Sequence, residues 1–163
     1  MNMDIGRLFN ICKEIELKCA ELYFYLAEGF RDDPQLSSLL EKTGNEELSH
    51  AKQFDLALSF DVSSFSGAVI DPWMANNSLK IITSVLEGAK RHRPAKLDAL
   101  RSLIKLEKQF SAFHVDCMAI FNDEKIKNTF ERMMAADKGH EEMLEDAYSI
   151  MLAKTRSQQG NIG

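Results

Sequence analysis

Four acidic residues stand where helical spacing would otherwise put apolar side chains, and their intervals repeat along the chain. Glu16 precedes Glu47 by 31 residues, and Glu107 precedes Asp137 by 30. Each acid lies in a stripe of three- and four-residue steps. The first stripe is Phe9, Cys12, Glu16, Cys19 or Ala20, Tyr23, Leu26, and the second is Leu36, Leu40, Thr43, Glu47, His50, Phe54, Leu58. The third is Leu100, Leu103, Glu107, Phe110, His114, Cys117, Phe121, and the fourth is Ile126, Phe130, Met133, Asp137, His140, Leu144, Ala147, Met151. Such spacing places each stripe on one helical face. The register match goes further: Tyr23 and His114 each lie seven residues after their acid, and Leu40 and Phe130 seven before theirs. Two helical hairpins with this pattern can assemble about a pseudo-twofold axis, bringing four carboxylates and two imidazoles to one level.

The expected fold class is all-α: an antiparallel four-helix bundle with one long crossover that contains an extra short helix. A first helix is predicted over residues 4–31, capped by Asp4 and ended by the RDDP stretch; a second runs from Pro34 to about Ser59. Residues 60–77 lose the periodicity among Ser, Asp, Gly67 and Asp71-Pro72, as a crossover would. A short helix begins at Asn77 or Ser78 and ends near His92, because Pro94 restricts the residue before it. A third long helix covers residues 94–121, and a fourth follows the break at Asn122-Asp123 and reaches about Arg156. Residues 1–156 form a single domain, and 157–163 a flexible tail.

Composition narrows the functional classes. A net charge of -5 without any block of Lys or Arg argues against nucleic acid or an anionic membrane as partner. The amino-terminal residues lack the basic start and apolar run of a secretion signal, so a cytoplasmic location is expected. Cys12, Cys19 and Cys117 include no CxxC pair, which leaves no thiolate zinc or iron knuckle, and they are expected to be reduced core residues.

Glu47 with His50 and Asp137 with His140 are acids followed three residues later by histidine on the same helical face. With 25 acids in 163 positions that pairing alone is common by chance, and its place inside apolar seams is what gives it weight. Four ionised carboxylates buried together would repel, and each desolvated charge costs several kcal/mol, so two divalent cations are the natural counter-charge. An oxygen-rich set with one imidazole per ion suits iron or manganese better than zinc. The candidate ligands are Glu16, Glu47, His50, Glu107, Asp137 and His140. Tyr23 and His114 are candidates to orient a ligand carboxylate.

The segments IELKCAELYFYLAE, GNEELSHAKQF, LEKQFSAFH and AADKGHEEML resemble the ferritin-like di-iron carboxylate proteins, and among them the rubrerythrin-like domains, from Ile15 to about Met151. The resemblance implies two iron ions, with manganese or zinc as alternatives, bridged by Glu47 and Asp137. Glu16 and His50 would complete one iron, and Glu107 and His140 the other. It implies an oxidoreductase that reduces O2 or peroxide, and a homodimer. The chain departs from rubrerythrins in Asp137 where a second glutamate is usual, and in Phe110 where a further glutamate stands. These 163 residues also include no CxxC pair of the kind a rubredoxin domain carries, so the electrons are expected to come from an external donor protein. Iron storage or delivery by a ferroxidase-like centre, and a metal-binding module without turnover, are the alternative readings.

The remaining polar residues have plainer expectations. Glu14, Glu21, Glu46, Glu141 and Glu142 lie off the seams and are expected on solvated faces, and His92 at an exposed helix end. The methionines of the fourth helix are read as core packing. Gly44 and Gly139 interrupt helices near the ligands, where a close approach of another group would explain them.

Overall fold

Two helix starts in this chain are set by aspartate side-chain caps. The computed structural model describes residues 5–59, 72–118 and 122–160, with side chains described except at residues 72, 112–118 and 158–160. Among the described residues the regular structure is all helical: α1 (Ile5–Gly29), α2 (Pro34–Leu58), α3 (Pro72–Arg91), α4 (Lys96–Met118) and α5 (Glu124–Gly160). Between α1 and α2 the Asp33 carboxylate accepts from Leu36 N at 3.1 Å, and Pro34 occupies the first helical turn, where its missing N–H costs nothing. The Ser37 hydroxyl donates to Ala27 O at 2.8 Å and holds the turn closed. Asp123 caps α5 in the same way, its Oδ1 accepting from Lys125 N at 2.8 Å and Ile126 N at 3.2 Å.

The hairpin α1–α2 and the hairpin α4–α5 pack against one another through α2 and α5, while α3 lies on α1 and touches α4. The predicted stripes are the buried faces: Phe9, Cys12, Tyr23, Leu40, Phe54, Leu100, Leu103, Phe130 and Leu144 are all in the core. Ala147, Met151 and Leu58, at the stripe ends, are half-buried. Phe9, Phe54 and Phe130 form an aromatic cluster joining α1, α2 and α5, with ring centroids 5.1 to 6.4 Å apart. No helix among the described residues is long and apolar enough to cross a membrane.

Two expectations need correction. The helix of the connection is not a short piece starting at Asn77 or Ser78; α3 starts at Pro72 and spans 20 residues. Pro72 begins a helix here as Pro34 does, and the small buried residues Ala75 and Ser78 extend the stripe of Ile82, Leu86 and Ala89. At the other end, α5 runs past the expected limit at Arg156 to Gly160. Nothing in SQQG stops a helix before its glycine, and the Ser157 hydroxyl bonds back to Ala153 O at 3.0 Å. Elsewhere α1 ends at Gly29 and α4 begins at Lys96, each about two residues inside the expected limit. The Asp4 cap, residues 60–71, Phe121 and the side chains of His114 and Cys117 lie outside the described residues.

Candidate metal centre

The six residues expected to share a level do so. Glu16 on α1, Glu47 and His50 on α2, Glu107 on α4, and Asp137 and His140 on α5 are all buried, none more than 6% exposed. Their donor atoms form two groups, Glu16–Glu47–His50 and Glu47–Glu107–His140, within each of which the ligand atoms lie within 4.8 Å of one another. Glu47 belongs to both groups. Its Oε2 is 3.1 Å from His50 Nδ1, and its Oε1 is 3.2 Å from His140 Nδ1. His50 Nδ1 also lies 3.8 Å from Glu16 Oε2 and 3.5 Å from Asp137 Oδ1. Asp137 thus approaches His50 and is a member of neither group. The imidazoles face each other at 5.9 Å between centroids.

Each donor group could hold a metal ion on its geometry. His140 Nδ1 is buried and makes no hydrogen bond, although Glu47 Oε1 is only 3.2 Å away. A nitrogen and an oxygen side by side but misaligned for a hydrogen bond are arranged as two donors to a common acceptor. Four acids and two imidazoles bring more negative than positive charge into a dry interior, and buried groups that can hold a metal ion are what results.

Electrostatics in the metal-free chain follow from that crowding. Burial pushes the Glu107 carboxyl up, and the neighbouring Glu47 charge adds to this, against the Tyr23 hydrogen bond, to about 8. Burial pulls His50 down, but hydrogen bonds and charge from Glu16 and Glu47 outweigh it and hold the imidazole proton to about 10. His140 is likewise held to about 9, its burial outweighed by Glu47, Glu107 and Glu46. Burial, then the charges of Glu47 and Glu16, push the Cys19 thiol well up, so it stays a protonated core residue.

The outer contacts differ from expectation in one respect. The buried Tyr23 hydroxyl donates to Glu107 Oε1, the orienting contact anticipated for it, and reaches across from α1 to α4. Glu46, expected on a solvated face, instead accepts from His140 Nε2 at 2.5 Å with its side chain 36% exposed. Helical periodicity could not reveal this, because Glu46 is off its own seam; its position next to Glu47 was the only signal. Glu14, Glu21, Glu142 and His92 are exposed, and Glu141 is half-buried.

The two glycines behave differently. A Cβ at Gly44 would lie 3.0 Å from the Phe24 ring, so Gly44 admits a close aromatic side chain, whereas a Cβ at Gly139 would have nothing within 4 Å. Gly139→Ala should therefore gain about 1 kcal/mol of helix propensity. Thermal melts should show it raising Tm by about 2–4 °C, with Gly44→Ala gaining less or losing; equal gains at both would contradict the packing difference.

Set against protein-family models, curated proteins and solved structures, the chain gives no match.

Proposed function

We propose that the chain is a ferritin-like, rubrerythrin-like di-iron carboxylate protein that reduces O2 or peroxide with electrons from an external donor protein. The observation that carries the reading is the sharing of Glu47 between two buried donor groups, each completed by one further glutamate and one histidine. In this reading Glu47 would serve both metal positions, with Glu16 and His50 holding one ion and Glu107 and His140 the other. By resemblance Asp137 would be a further carboxylate ligand, and its approach to His50 keeps it within the same cluster.

Two ferrous ions, when bound, supply the two electrons that reduction of peroxide to water, or of O2 to peroxide, requires. The chain's own residues do the rest. The carboxylates neutralise the cations, and the Tyr23 hydroxyl fixes one oxygen of Glu107. The cluster of Phe9, Phe54 and Phe130, about two helical turns from the acids, closes one side of the site to water. Buried Phe110, on the helix of Glu107, adds an apolar wall where rubrerythrins carry a further acid. The resemblance also supports a homodimer as the working assembly.

The test is elemental analysis of protein purified without chelators, then anaerobic Fe(II) titration and addition of O2 or peroxide with and without a reductant. About two irons per chain and repeated turnover with the reductant are expected. A single oxidation without turnover, in cage-sized particles, would favour iron storage, and no metal uptake would overturn the reading.

A further inference from the structure

Glu46 belongs to neither donor group, yet it holds one of their members from outside. It sits on α2, and its Oε2 accepts from His140 Nε2 on α5 at 2.5 Å. Its Oε1 lies 3.8 Å from the exposed Lys42 Nζ, so the residue spans from solvent to an imidazole that is itself 1% exposed. An imidazole that donates through Nε2–H carries its free lone pair on Nδ1 when neutral. That nitrogen is the one facing Glu47 Oε1 at 3.2 Å. The contact therefore selects the tautomer and the ring orientation that the donor group needs.

The internal repeat offers no counterpart of this support at the matched position. With Glu47 matched to Asp137 and His50 to His140, the counterpart of Glu46 on α5 is Ala136, whose methyl group accepts nothing. His50 turns its Nδ1 to Glu47, Glu16 and Asp137. Two imidazoles at matched positions thus differ in what stands behind them.

We propose that Glu46 is a positioning residue that makes the two metal positions unequal, so that the position of Glu47, Glu107 and His140 binds its ion more tightly and fills first. The inference rests on the two-metal reading. Outer partners of ligating histidines typically account for 10- to 100-fold in metal affinity, enough to separate two otherwise similar steps.

Cobalt(II) is the probe, titrated anaerobically into the full chain by calorimetry and visible absorption. The wild type should show two resolved steps, and Glu107→Gln should remove the tighter one. Glu46→Ala should weaken the tighter step about 10- to 100-fold and leave the other in place. Glu46→Gln should largely restore it, because the amide oxygen still accepts from Nε2–H, and Ala136→Glu should tighten the weaker step. Circular dichroism of each variant reports the fold. Unchanged constants in Glu46→Ala, or equal weakening of both steps, would overturn the positioning role while leaving two-metal binding standing. A wild type that takes up no cobalt would overturn both.

Discussion

Glu47→Gln should abolish both metal positions, whereas Glu16→Gln and Glu107→Gln should each abolish one. The asymmetry follows from the two oxygens of Glu47, which face different imidazoles at 3.1 and 3.2 Å. Glutamine keeps the shape of the side chain but offers a single neutral oxygen and an NH2 group that repels a cation, so it cannot serve two ions. Glu16 and Glu107 each enter one donor group, and their loss should leave the other intact. The expected weakening is on the order of 100-fold or more per affected ion, about 2.7 kcal/mol each. Metal per chain after dialysis is the measurement. The metal-free Glu47→Gln chain should remain folded, because the amide keeps the shape of the side chain and its oxygen can still accept from an imidazole, and circular dichroism checks this. Retention of both ions by Glu47→Gln, or loss of both from either single-position variant, would defeat the shared-carboxylate arrangement.

What was legible in the sequence was what periodicity can carry. The spacing of Leu36, Leu40, Glu47, His50 and Phe54 states which face of α2 is buried whatever its neighbour, and the 31- and 30-residue intervals bring the acids to one level. Tyr23 was found by the same register, seven residues after Glu16, although its partner is the acid of another helix. The start of α3 was missed because Asp71-Pro72 reads as a turn and the first buried positions, Ala75 and Ser78, are too small to mark an apolar stripe. Glu46 was missed for a different reason. Its contact with His140 depends on how far α2 is rotated toward α5, and a single helix's periodicity holds no information about the rotation of a pair. Residues that support a site from outside its seam are therefore the ones this kind of sequence conceals.

The metal-free and metal-loaded chains should respond to pH in opposite directions. In the metal-free fold His50 holds its proton to about 10 and His140 to about 9, while an unfolded histidine releases it near 6.5. Their stabilisation is complete below about pH 6.5 and is lost as pH rises through those folded values. Glu107, held protonated to about 8, keeps a proton that the unfolded carboxyl has already lost above about 4.5, so its contribution has the same sign. Folded chains thus bind more protons than unfolded ones throughout, and stability falls as pH rises from about 5 toward 10. A loss of about 2 kcal/mol or more between pH 6 and 9 is expected, lowering Tm by about 4–8 °C. Cations take the place of these protons, so binding must release them, and affinity should climb with pH by up to about tenfold per unit for each proton displaced. Thermal melts of chelator-treated and loaded protein across this range, with calorimetry in buffers of different ionisation enthalpy, measure both effects. A chelated chain whose Tm rises between pH 6 and 9, or metal binding that releases no protons, would mean that protons do not balance the buried carboxylates when the metal is gone.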